Sequence, residues 1–227
     1  MATSRIQRGI IWVIAAALMG GTIMGFLVMI LSSQTQQQQQ AAWQKYQAEY
    51  AAYQKKTTVQ AAELSNRYFA EFQPYSANVA TFDAASATAM AQSDLKVGDG
   101  EAITGTTKFA AYYIGWTPDG KVFDQSIDGS SLKAPISINE LKNTSLIAGW
   151  KEGMLGMKIG GVRELTIPAD KAYGKQGSTD ATGKQTIAPD TPLKFVVMAI
   201  PQPTAIPQPA MSPEVQQYIQ AQYGGQQ

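Results

Sequence analysis

The sequence predicts an α+β fold: a twisted antiparallel β-sheet wrapped on one short helix, preceded by a single transmembrane helix and a helical stalk. Three observations predict it. Between residues 93 and 200 apolar positions alternate with the period of strands. One short helical stretch, Ala148 to about Met157, interrupts them and is ended by Gly160-Gly161. Ahead of Pro74 an uncharged apolar run and an aromatic stripe at helical spacing read as helix.

The first element is Ile10 to Leu31, IIWVIAAALMGGTIMGFLVMIL, which carries no charge. At about 1.5 Å per residue it is roughly 33 Å long, enough for a bilayer core. Arg5 and Arg8 precede it, and no charge follows until Lys45. The positive-inside rule then places residues 1–9 in the cytoplasm and the C-terminal domain outside it. A cleaved signal peptide is the rival reading. It would have a shorter apolar region followed by a small-residue cleavage site, and SSQTQQ is a poor substitute, so the anchor is preferred. Gly21 and Gly25 form a G-x-x-x-G pair, common enough in such helices to need no dimer.

Residues 32–73 read as the stalk. Gln34 to Gln40 is a low-complexity polar tract. Trp43, Tyr46, Tyr50 and Tyr53 then recur at helical spacing, with Leu64 and Tyr68 extending the stripe. Two uses stay open. The stripe is a coiled coil through which the chain self-associates or binds a partner helix, or it packs on this chain's own domain or at an interface. Pro74 ends the helical pattern. Residues 74–92 are a linker or an added strand.

Within 93–200, KFAAYYIGW and GGVRELTIP read as strands, and Asp119-Gly120 marks a hairpin turn between two apolar segments. ISINEL alternates, and LKFVVMAI closes the domain as a long apolar strand. A sheet of this kind needs one cover, and the short helix supplies it. Residues 201–227 hold a proline-rich linker and a short helix from Pro213 to about Tyr223, for which Ser212 is the N-cap.

Composition narrows the chemistry. The 227 residues contain no Cys and no His, and the net charge is +1. Disulfides, thiolate catalysis, imidazole-based nucleophile systems and the usual zinc ligands are excluded. No cofactor is expected. No basic field points to nucleic acid, and no phosphate-loop motif occurs. The glycines read as backbone devices at turns and close approaches.

Four blocks in register then identify a family. YYIGWTPDGKVFDQS (Tyr112 to Ser126) resembles the "Y-x-G-x-x-x-D-G-x-x-F-D-x-S" signature of FKBP-type peptidyl-prolyl cis-trans isomerases. LIAGWKEGMLGMKIGGVRELTIPADKAYG (Leu146 to Gly174) resembles its "I-x-G-W-x-E-G" and "L-x-I-P-x-x-x-A-Y-G" runs. IAPDTPLKFVVMAI (Ile187 to Ile200) is similar to the last strand, and SDLKVGDG (Ser93 to Gly100) to the entry segment. The resemblance implies an FKBP-like domain over 93–200 that accelerates rotation about Xaa-Pro bonds, with proline-containing proteins or peptides as substrates and macrolides as inhibitors. It says nothing of residues 1–92 or 201–227.

By that resemblance Trp150 is the pocket floor. Phe123, Ile136, Leu146, Ile187 and Phe195 join it in binding substrate. Tyr113, Asp124, the Ile147 backbone N–H and the Tyr173 hydroxyl are the catalytic set. Taken singly, each aromatic would be an ordinary core residue. The sequence departs from the family pattern at Ile136, where an aromatic is usual, and at Gln125. It departs again in the longer loop from Lys175 to Thr186, and at Ile187-Ala188-Pro189, where the family has I-P-P. The alternative to an active isomerase is a chaperone or scaffold module of the same fold with little catalysis.

Overall fold

The computed structural model describes residues 5–223, and the side chains of residues 34–222. In chain order the elements are α1 (Arg5–Phe72), β1 (Ala91–Lys96), β2 (Phe109–Trp116), β3 (Val122–Gln125), β4 (Ile127–Asp128), β5 (Ser131–Leu132) and β6 (Ile136–Ile138). After these come α2 (Ala148–Met154), β7 (Val162–Ile167), β8 (Ser178–Thr179), β9 (Gln185–Ile187), β10 (Leu193–Pro201) and α3 (Pro213–Tyr223). The chain divides into two units, Met1–Lys55 with Ile206–Gln227, and Lys56–Ala205.

The sheet of the second unit runs in the order β1-β7-β10-β2-β3, all antiparallel, with β6 pairing the start of β2. β2 and β10 are central and buried on both faces, so their runs are near-continuously apolar rather than alternating. Side chains of successive residues still point to opposite faces. That divides the core in two. One cluster gathers Phe109, Trp150, Met154, Leu165, Ile167, Ile187, Leu193 and Phe195, with α2 on it. The other gathers Tyr112, Ile114, Trp116, Val196, Met198 and Ile200.

α2 packs closely because two of its residues have no side chain. A Cβ on Gly149 would come within 2.2 Å of Ile167, and one on Gly153 within 2.6 Å of Leu165. Arg163 ties the helix end to the sheet edge. It is buried, donates to the Gly153 and Leu155 carbonyls at 2.8 and 3.1 Å, and forms a bidentate pair with Asp94 at 2.6 and 3.1 Å.

The second cluster is covered by the last turns of α1 and the segment after it. Phe72 is fully buried there, with Leu64, Tyr68, Phe69, Tyr75, Val79 and Phe82 packed beside it. Polar contacts fix this cover. The Ser65 hydroxyl accepts from the Leu132 N–H at 2.8 Å, and the Trp116 indole N–H donates to the Ala80 carbonyl at 3.0 Å. Glu71 pairs with Lys96.

In the first unit α3 packs on α1. Trp43 stacks on Tyr218 with ring centroids 5.6 Å apart and on Tyr46 at 5.9 Å. Gln39 donates to Gln217 at 3.1 Å, and Val215 is buried. The stripe foreseen at Trp43 thus has a partner within its own chain, and self-association through the stalk gains no support from it.

The expectation of a transmembrane helix is overturned. Among the described residues no helix is long and apolar enough to cross a membrane. The physical reason lies in composition: the described side chains of α1 begin at Gln34 and run through the Gln-rich tract and a charged, aromatic stretch to Phe72, in which no long apolar window occurs. The side chains of Ile10 to Leu31 lie outside the described residues. The single-pass localisation, with a cytoplasmic N-terminus and an extracytoplasmic domain, rested on that span and is withdrawn with it.

Candidate active site

The cluster beneath α2 opens at the surface through a run of aromatic rings. Tyr113 meets Trp150 edge-to-face at 5.5 Å, Trp150 meets Phe195 edge-to-face at 5.6 Å, and Phe195 meets Phe123 edge-to-face at 5.6 Å. Edge-to-face packing suits the ring quadrupoles and fixes the rings against one another. Each ring comes from a different element: Tyr113 from β2, Phe123 from β3, Trp150 from α2 and Phe195 from β10. Register places them together, since Phe195 pairs with Gly115, and Gly115 pairs with Asp124.

Gly115 is the residue that makes room. A Cβ there would lie 2.5 Å from the Phe195 ring and 2.8 Å from the Phe123 ring. Sequence reading saw this glycine only as a turn or close-approach device. The signal lay in its position, two residues from Tyr113 on the same face of the strand.

Trp150, Ile187 and Phe195 are buried in the cluster, while Tyr113, Phe123, Ile136, Leu146 and Ile147 are part-buried against it. Asp124 is exposed, and Tyr173 is 38% exposed. Eight of the ten residues named from the sequence thus belong to or pack against this one cluster, while Asp124 meets it through the Tyr113 hydroxyl and Tyr173 lies near Asp124. Ile187 ends the short hairpin β8–β9 and is buried in the cluster, 2% exposed. Within that hairpin Asp180 accepts from the Thr182 N–H, the Thr182 hydroxyl and the Lys184 N–H, so the loop from Lys175 to Thr186 has a built turn.

The polar groups sit on the rim. The Tyr113 hydroxyl donates to Asp124 Oδ2. Burial, then the hydrogen bond to Asp124, push the Tyr113 hydroxyl well above its usual range, with the charge of Asp124 adding to this. Burial and the same carboxylate raise Tyr173. Both hydroxyls are neutral donors at any ordinary pH. The Tyr113 N–H donates to the buried Ser126 hydroxyl at 2.9 Å, which fixes the strand that carries the ring. Ile147 is the N-cap of α2, and the first N–H groups of a helix have no partner within it.

The arrangement is an apolar ring cluster whose rim carries two tyrosine hydroxyls and the Asp124 carboxylate, so it offers a face to an apolar ring and hydrogen-bonding groups at its edge. Among the described residues no cluster of His, Cys, Asp or Glu is placed to hold a metal ion.

Fold and site together define an α+β domain with a cluster of aromatic rings between its short helix and its sheet. A family model described as FKBP-type peptidyl-prolyl cis-trans isomerase matches residues 99–200. The "FK506-binding protein" of Neisseria meningitidis is 39% identical over 85 residues, 37% of this chain and 74% of that protein. "FK506-binding protein 4" of Rhizopus delemar is 40% identical over 85 residues, 37% of this chain and 21% of that protein. Among solved structures, AtFKBP13 shares 30% identity over 50% of this chain and 93% of its own, with a TM-score of 0.44. The chain belongs to the FKBP-type peptidyl-prolyl cis-trans isomerase family. It spans about a fifth of the length of the Rhizopus relative.

Proposed function

We propose that the chain is a peptidyl-prolyl cis-trans isomerase acting on proline-containing polypeptides through its domain at 93–200. The run of edge-to-face rings from Tyr113 through Trp150 and Phe195 to Phe123, with neutral donors at its rim, carries this reading. Rotation about an Xaa-Pro bond crosses a barrier of about 18–20 kcal/mol because amide resonance is lost. Uncatalysed exchange takes tens to hundreds of seconds. A catalyst needs to favour the twisted amide over the planar one; it has no bond to break.

In this reading the proline ring lies on Trp150, between Tyr113, Phe123 and Phe195, with Ile136, Leu146 and Ile187 completing the wall. The Ile147 N–H and the Tyr173 hydroxyl hold the carbonyls on either side of the bond. Asp124, oriented by the Tyr113 hydroxyl, faces the carbonyl that swings out of plane. Desolvation in the ring cluster favours the twisted amide, which has lost the charge separation of the planar form and is the less well solvated by water. FK506-like macrolides, named in the relatives, are the inhibitor class that such a pocket accepts.

The test is exchange on a short Xaa-Pro peptide, followed without a coupled protease, for the full chain and for Asp124→Ala and Tyr173→Phe. Acceleration well above background, reduced about tenfold or more in Asp124→Ala and less in Tyr173→Phe, is the expected result. A folded chain that binds the peptide without accelerating exchange is a binding module of the same fold.

A further inference from the structure

We propose that a groove next to the ring cluster is a second subsite, which takes polypeptide flanking the substrate proline and favours a cationic side chain there. The inference rests on the isomerase reading for its occupant. The groove has a volume of about 450 Å³ and runs between the turn after β2, at Thr117, Asp119 and Lys121, and the segment at Thr186, Ala188 and Asp190. That size falls within the range of ligand pockets, about 300–1,000 Å³.

Continuity with the ring cluster identifies the occupant. Ile187 is buried in the cluster, and its two chain neighbours line the groove. Phe123 lies two residues along the strand from Lys121, a step of about 7 Å. A peptide whose proline sits on Trp150 and whose chain leaves past Phe123 and Ile187 enters the groove within about two residues. A short Xaa-Pro core ends before it.

The walls are fixed before any ligand arrives. Asp119 Oδ1 accepts from the Thr117 hydroxyl at 2.5 Å and from the Lys121 N–H at 3.2 Å. The Thr117 N–H donates to the Lys121 carbonyl at 3.0 Å, and the Asp190 N–H donates to the Gly174 carbonyl at 2.8 Å. A preformed wall spares the complex the ordering cost of a mobile loop. The lining carries two carboxylates, Asp119 and Asp190, against one ammonium, Lys121. The hydrogen bonds to Asp119 lower its pKa, so it is charged at neutral pH. A Lys or Arg side chain in the flank gains from this balance and a Glu loses, more so at low salt.

The full chain would be assayed by NMR exchange on three sets of peptides. One is a four-residue Xaa-Pro core; the others extend it by six residues on either side, rich in Lys or rich in Glu. On one of the two sides the Lys extension is expected to give a kcat/KM at least about threefold above the Glu extension. Asp190→Asn shrinks that ratio and Lys121→Gln enlarges it, while both leave the four-residue core within about twofold of the parent. Equal values for the two extensions, or a ratio that neither variant moves, would overturn the subsite. If the parent does not turn over the core at all, the isomerase reading fails by itself. The same extended peptides are then titrated by fluorescence anisotropy. A Lys preference that responds to both variants upholds the groove, and its absence overturns it.

Discussion

Tyr112 and Tyr113 are adjacent in sequence and serve opposite faces of β2. Tyr113 joins the rings under α2, whereas Tyr112 is fully buried beneath α1 beside Tyr68 and Phe72. Among the described residues its hydroxyl has no hydrogen-bond partner. Burial, with the nearby Tyr68, pushes it up to about 12. The folded value lies above the ordinary one of about 10. Stability is therefore intact below about pH 10 and falls as pH rises from 10 toward 12. Tyr112→Phe should leave stability at pH 7 unchanged or raise it by about 1 kcal/mol, because an unpaired buried hydroxyl costs more than it returns. It should also flatten the loss above pH 10; urea unfolding at pH 7 and at pH 11 measures both. Gly115→Ala tests the other face. Its Cβ would press on Phe123 and Phe195, so we expect a cost of about 1–3 kcal/mol from overpacking. Prolyl isomerisation should fall at least tenfold in protein that remains folded. Unchanged kcat/KM in Gly115→Ala would show that the spacing of these rings does not matter to turnover.

At the scale of elements, α1 behaves as part of the sheet domain over its last turns. Sequence periodicity made a single stripe of Trp43 through Tyr68. The structure divides it: Trp43 meets α3, while Leu64 and Tyr68 meet the sheet, joined by Phe69 and Phe72. Periodicity reports which face of a helix is apolar, and tertiary packing chooses what that face touches. Phe72→Ala should cost about 3–5 kcal/mol, the usual range for a buried Phe. A fragment beginning at Ser93 leaves the outer cluster of β2 and β10 uncovered. It should unfold at clearly lower denaturant than one covering 56–205, and bind an apolar dye that the longer fragment does not. Equal midpoints for the two fragments would show the helix to be dispensable there.

For the whole molecule, the two units give a division of labour that can be tested. The residues assigned to isomerisation all lie in Lys56–Ala205. Removal of residues 206–227 takes away α3 and the Trp43–Tyr218 stack, an interaction of about 0.5–1.5 kcal/mol beyond its area. Turnover of a short proline peptide should stay within about twofold, while the near-UV circular dichroism of the aromatic stripe changes. A large loss of turnover would place part of the active unit in the C-terminal helix.

The sequence by itself determined the main strands β2, β7 and β10 and the positions of α2 and α3, and it proposed the residues of the candidate pocket. Each of these is written locally: alternation makes a strand, a capping Ser before Pro starts a helix, and motif blocks in register carry the site. Hydropathy alone also led to a membrane span that the described residues do not support. Only tertiary structure decided that Gly115 opens the space between Phe123 and Phe195, and that the Tyr113 hydroxyl orients Asp124. It alone placed α1 as the cover of the sheet. These are contacts between elements far apart in the chain, and a one-dimensional pattern shows that a surface must be buried without saying against what.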